Sequence, residues 1–289
     1  MTVEAFAKVN LTLEVFAERG DGYHELKSVV MPVSLSDTLE IEDAPSFSSD
    51  TGYDDDLCLK AARALDPTRG VRIHVVKRIP SGGGLGGGSA DAAAVLRALN
   101  EMRGLDLSSA RLAEIGAGVG SDVPSLVLGG AVLMEGRGEK VAPIVLPDGF
   151  CLHLVLVNPQ IESSTAAVYA EVRDGRRRTA EDAAYSPTRR MIAALQANDF
   201  DGIVSALSND LQRPAIRLYP EIAGAIDALR AFGAEGVMMS GSGSTVFGLT
   251  RDESSARRLA AGLKARGYRA WDVLSAPASS SLACVGKIP

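Results

Sequence analysis

The chain has 289 residues, 46% of them apolar and 23% charged, with a net charge of −6. That length permits one large domain or two moderate ones around a real core, and the acidic balance argues against a nucleic-acid partner, which needs a basic face. Three cysteines, Cys58, Cys151 and Cys284, are widely separated with no CxxC pair, which argues against a disulfide scaffold or a zinc site and for a reducing, cytoplasmic compartment. No run approaches the ~20 apolar residues that span a membrane, and Glu4 and Lys8 interrupt any signal-like apolar block at the start.

In chain order, Leu11, Leu13 and Val15 alternate with Thr12 and Glu14, a half-buried strand. Arg19-Gly20-Asp21-Gly22 reads as a turn, and Glu25–Val33 and Thr38–Ile41 as two further strands. Pro45–Asp56 reads as an exposed loop, Leu57–Leu65 as a helix, and Val71, Ile73 and Val75 as one strand face. A helix is expected to start at Ser89, with Val95, Leu96, Leu99 and Met102 as its apolar stripe and Gly104 as its stop. Ser108 caps a second helix through Ala117, Gly120–Pro124 makes a tight turn, and Ala131–Met134 with Val141–Val145 form a hairpin. The pattern changes near Pro147. Leu152–Val157 is a buried strand, Thr165–Val172 a helix, and Arg173–Ser186 a charged, solvated loop. Two or three helices are expected over 187–232, then strands at Val237–Met239 and Thr245–Leu249 around a small-residue loop, a helix at Glu253–Arg266, a strand at Tyr268–Val273 and a tail of small residues. His74 and His153 fall inside strands and read as structural. The order of elements gives an α+β fold with two domains, residues 1–147 and 148–289, meeting at a cleft.

The strongest motif follows the Val71–Val75 strand. Pro80-Ser81-Gly82-Gly83-Gly84-Leu85-Gly86-Gly87-Gly88-Ser89 holds six glycines in the seven residues 82–88. Glycine takes φ > 0 without steric cost and lets backbone approach a phosphate. Successive N–H groups and the following helix start form an anion cradle. The Walker pattern fails, because no Gly-Lys-Ser/Thr closes the loop. The dinucleotide fingerprint is met only trivially by a run of glycines, and the protein-kinase signatures are absent.

Three separated motifs together resemble the GHMP kinase superfamily. They are Ala7-Lys8-Val9-Asn10-Leu11, Pro80–Ala93, and the glycine loop Met239-Ser240-Gly241-Ser242-Gly243-Ser244. Within it, Asp21-Gly22-Tyr23-His24, Gly120-Ser121-Asp122-Val123-Pro124 and Ser208-Asn209-Asp210-Leu211 are similar to the 4-diphosphocytidyl-2-C-methyl-D-erythritol kinases. The resemblance runs from about Val3 to Val273. It implies a two-domain fold with the active-site cleft between the domains, and ATP-dependent phosphorylation of the 2-hydroxyl of a cytidine-diphosphate-linked methylerythritol.

By that resemblance Asp122 takes or orients the proton of the acceptor hydroxyl, and Lys8 offsets charge developing on the transferring group. Pro80 and the run Gly82, Gly83, Gly84, Leu85, Gly86, Gly87, Gly88 and Ser89 bind the ATP phosphates. Asn10, Tyr23, His24, Thr165 and Tyr169 contact the substrate, the aromatic rings stacking on cytosine. Mg²⁺ would arrive on ATP, held mainly by phosphates and water, with Ser89 as a candidate protein ligand. From the residues alone, Asp122 also fits a helix cap and Lys8 a surface position on an alternating strand. One departure stands out. Where the family often has Asn-Leu beside the nucleoside pocket, this chain reads Asp56-Leu57, and a carboxylate cannot donate as an amide does. Two other functions remain open on this reading: a homoserine- or mevalonate-type kinase, and a non-catalytic nucleotide-binding protein.

Overall fold

The computed structural model describes residues 1–18, 20, 24–172 and 186–275. The expected turn at 19–22 apart from Gly20, Tyr23, most of the loop at 173–186 and the tail beyond Ser275 lie outside the described residues. Strand β1 (Thr2–Glu18) follows the alternation seen in the sequence. Ala5, Ala7, Val9 and Leu11 face one core, and the intervening Lys8, Asn10, Thr12 and Glu14 are buried on the opposite face.

Strand β2 (His24–Asp43) is one continuous element where two strands were expected. Ser34 and Ser36, which lie between the two expected strands, each find a partner inside the fold: Ser34 Oγ accepts from Leu274 N–H, and the Ser36 hydroxyl donates to Glu4. The length of β2 lets it pair antiparallel with β1 along one edge. On the other edge it pairs with β5 (Val132–Gly136) at its start and with β4 (Val71–Val76) at its end. The seven-stranded sheet is completed by β3 (Ser48–Ser49), β6 (Lys140–Pro143) and β8 (Ser208–Asn209). Strand β3 places a short paired segment inside the stretch expected to be loop.

Against this sheet pack α1 (Leu57–Leu65), α2 (Gly87–Met102), α3 (Ser109–Ala117) and α4 (Val123–Leu128). Helix α2 starts two residues before the expected Ser89, because Gly86 takes the N-cap in a left-handed conformation and needs no capping side chain. The small residues Ala92, Ala93 and Ala94 are fully or almost fully buried in α2, which brings its backbone close to its neighbours.

The second sheet has the order β11 (Arg269–Leu274), β7 (His153–Asn158), β10 (Val246–Thr250), β9 (Gly236–Met239), antiparallel throughout. Around it lie α5 (Thr165–Ala170), α9 (Glu221–Ala231) and α10 (Glu253–Ala265). The stretch from 187 to 232 holds four helices, one more than expected at most: α6 (Pro187–Gln196), α7 (Phe200–Ala206), α8 (Gln212–Leu218) and α9. The extra break comes where β8 interrupts the apolar pattern to pair in parallel with Thr12 and Leu13 of β1. One apolar core joins Leu154, Leu156 and Phe247 to Val9, Leu11 and Met31, so the two halves share their interior. The fold is α+β, and β1, β2, residues 80–89, α5 and the 241–243 loop line one cavity.

Candidate active site

The period of β1 places Lys8 and Asn10 on the same face, pointing into a cavity of about 1110 Å³. Lys8 is 3% exposed, which removes the surface reading of this residue. Its Nζ lies 3.3 Å from Asp122 Oδ2 and donates to Asn10 Oδ1 at 2.7 Å. The Asn10 amide nitrogen donates in turn to Ser28 Oγ at 2.8 Å, and Ser28 to the Thr12 carbonyl at 2.5 Å. This chain of bonds fixes the ammonium from behind. Asp122 stands at the N-cap of α4, yet its side chain makes no capping bond and turns to Lys8 instead. The capping reading of Asp122 therefore fails.

The glycine loop closes over this pair. Gly82, Gly84 and Gly86 all have positive φ (62°, 72° and 69°). A Cβ on Gly84 would meet Ser240 O at 2.2 Å, and one on Gly86 would meet Lys8 Cε at 3.1 Å and Asp122 Oδ2 at 3.5 Å. The third motif thus packs directly on the second: Ser240 donates to Gly84 O at 2.9 Å, and Thr245 N–H to Gly83 O at 3.1 Å. The first bond of the α2 ladder runs from Ala90 N–H to Gly86 O. The N–H groups of Gly87, Gly88 and Ser89 precede that ladder, the ones a helix start offers to an anion.

Pro80, every residue from Gly82 to Ser89, Lys8, Asn10, His24, Asp122, Thr165 and Tyr169 line the same cavity. Of the expected site residues, Tyr23 alone is outside the described ones. Thr165 and Tyr169 are one turn apart on α5 and share a face. Thr165 Oγ1 and Ser242 Oγ are 2.8 Å apart, which joins α5 to the third motif. Tyr169 stacks on His24 with centroids 5.6 Å apart. Burial, and then the Asp122 charge, push the Tyr169 phenol up to about 12, so it stays a neutral donor. His24 Nδ1 lies 2.9 Å from the Phe16 carbonyl, which can only accept. That bond places a proton on Nδ1, so that in the neutral ring Nε2 is an acceptor.

Some cavity residues escaped the sequence reading. Lys77 donates to Asp37 at 2.5 Å and to Asp91 at 2.6 Å, joining β2 to α2 beside the glycine loop. Burial raises the Asp91 carboxyl to about 7 against the pull of Lys77. These three residues are spread over 55 positions, so no local spacing marks them. Arg137, in the turn after β5, also lines the cavity. Asp56, the residue that departs from the family pattern, has both carboxylate oxygens engaged by neighbouring residues of the chain. Oδ1 accepts from Cys58 N–H (2.8 Å) and Leu59 N–H (3.1 Å) as the N-cap of α1. Oδ2 accepts from Thr51 (2.7 Å) and from Ser49.

Comparison with known proteins identifies the family. The chain matches the GHMP kinases N terminal domain over residues 56–130 and the GHMP kinases C terminal domain over residues 191–269. It is 40% identical over 279 residues to a 4-diphosphocytidyl-2-C-methyl-D-erythritol kinase of Shouchella clausii (strain KSM-K16), covering 91% of this chain and 90% of that protein. A crystal structure of 4-(cytidine 5'-diphospho)-2C-methyl-D-erythritol kinase superposes with a TM-score of 0.80 at 37% identity, covering 96% of this chain and 100% of that one. The L. major mevalonate kinase in complex with R-mevalonate superposes at 0.72 over 96% of both chains, but at 22% identity it shares the fold alone.

Proposed function

Because this chain belongs to the 4-diphosphocytidyl-2-C-methyl-D-erythritol kinase family of GHMP kinases, we propose that its cavity moves the γ-phosphoryl group of ATP onto the 2-hydroxyl of that cytidine-linked alcohol. The enzyme is a kinase of the non-mevalonate (MEP pathway) route to isoprenoid precursors. The observation that carries the site reading is the Lys8–Asp122 pair, 3.3 Å apart under the glycine loop. Residues 1–147 supply the phosphate loop and this pair. Residues 148–289 supply Thr165, Tyr169 and the Ser240–Ser244 loop. We read the protein as acting on a small molecule in the cytoplasm, with no nucleic-acid or membrane partner. Among the described residues no helix is long and apolar enough to cross a membrane.

Phosphoryl transfer asks the protein for positioning and charge stabilisation. Asp122 takes the proton of the 2-hydroxyl as its oxygen attacks the γ-phosphorus. The bond to the β-phosphate oxygen breaks, and ADP leaves. Lys8, steadied by Asn10, offsets the charge that develops on the transferring group. Among the described residues no three His, Cys, Asp or Glu side chains converge into a cation cage. An Mg²⁺ arriving on ATP would be held chiefly by phosphate oxygens and water, with the Ser89 hydroxyl, which lines the cavity, as a candidate protein ligand, and would neutralise further phosphate charge. Asn10 and Thr165 line the substrate's path, and the cytosine contact that the family resemblance gives to Tyr23 and Tyr169 completes the reading.

His24 Nε2, as an acceptor, matches the exocyclic amino group of cytosine and opposes the carbonyl that uracil carries there. The wild-type enzyme is expected to prefer the cytidine-linked alcohol over its uridine counterpart. His24→Ala is expected to reduce that preference by about 10–100-fold, the worth of one buried hydrogen bond. Competition kinetics with both alcohols read this directly. An unchanged ratio in the variant would take His24 out of base recognition.

A further inference from the structure

The structure assigns a role to Tyr53 that no motif contains: we propose that its ring is the platform on which the base of the phosphoryl donor stacks. The inference rests on the reading of the glycine loop as the phosphate site. Gly86, Lys8 and Asp122 converge at one point of the cavity wall, and on this reading the transferring phosphate lies against it. The acceptor occupies the side walled by His24 and Tyr169. The donor nucleoside must then run the other way, toward the rim formed by Tyr53, Leu57, Ile79 and Pro80.

On that rim Asp56 cannot read a base. Both of its oxygens already accept two donors each from the chain's own residues. Among the described residues lining the cavity, Tyr53 is the aromatic ring remote from His24 and Tyr169. It is 52% exposed, unusual for a large side chain inside a concave wall. It is also anchored, because its hydroxyl lies 2.6 Å from Ser81 Oγ, at the first turn into the glycine loop. A half-exposed ring fixed by its polar end presents a flat apolar surface at the start of a phosphate loop. Stacking on such a face tolerates any base and needs no edge contacts.

The test separates base from phosphate. Binding of ATP and of inorganic tripolyphosphate, each with Mg²⁺, is measured by calorimetry on the full chain for wild type, Tyr53→Ala and Tyr53→Phe. Tyr53→Ala is expected to raise the Kd for ATP by about 5- to 150-fold, the range that loss of a base–aromatic stack gives. The Kd for tripolyphosphate is expected to stay put, and Tyr53→Phe, which keeps the ring, to recover most of the loss. Unchanged ATP affinity in Tyr53→Ala would overturn the proposal. So would equal weakening of ATP and tripolyphosphate, or a Tyr53→Phe variant as impaired as Tyr53→Ala; either would mean that the bond to Ser81 shapes the loop. Failure of the loop reading is seen separately, as tripolyphosphate binding that Gly86→Val does not weaken.

Discussion

Asp122→Asn is expected to lower kcat by about 10²–10⁴, the usual worth of a positioned general base, while ATP affinity and the fold are retained. The substitution is isosteric. Asp122 is held by no capping bond, so α4 loses nothing at its start. What is lost is the ability to accept the hydroxyl proton, together with the charge that faces Lys8 at 3.3 Å. Turnover is followed by ADP release, and ATP affinity by calorimetry on the same preparation. The reading requires the loss to fall on kcat, because the proton moves only as the transition state forms. A purified, folded variant that turns over at the wild-type rate would remove Asp122 from the mechanism.

Gly86→Val should weaken ATP binding by at least tenfold. Gly86 has φ of 69°, where a β-branched residue is strained by about 1–3 kcal/mol. Its new Cβ would also meet Lys8 Cε and Cγ, each at 3.1 Å. The loop can relieve this only by moving off the phosphate site or by pushing Lys8 away from Asp122. Both routes reduce activity, and the first raises the Kd for ATP. The acceptor pocket at His24 and Tyr169 lies on other elements, so its substrate should still bind. Calorimetry with each ligand distinguishes the two effects. Unchanged ATP affinity in a folded variant would show that the loop does not cradle phosphate.

The sequence made some of this legible and hid the rest for physical reasons. The glycine loop was plain because so many glycines between a strand and a helix have few other uses. Lys8 and Asn10 share a face by the two-residue period of a strand, which is local information. Their approach to Asp122 is tertiary, and only the resemblance to a family foresaw it. The start of α2 was misplaced because a left-handed glycine, rather than the visible serine, ends the loop. The continuity of β2 is tertiary information, because the polar Ser34 and Ser36 find their partners only on β11 and β1. The Lys77–Asp37–Asp91 cluster joins elements far apart in the chain, and no pattern of spacing marks it.

The central claim is the identity of the acceptor. It is tested most directly by incubating the purified chain with ATP and Mg²⁺ and, in separate reactions, 4-diphosphocytidyl-2-C-methyl-D-erythritol, homoserine or mevalonate, and measuring ADP and phosphorylated product. One ADP and one phosphomonoester per turnover are expected with the cytidine-linked alcohol, and only background ATP hydrolysis with the other two. Efficient phosphorylation of homoserine or mevalonate, with the cytidine compound ignored, would contradict the claim.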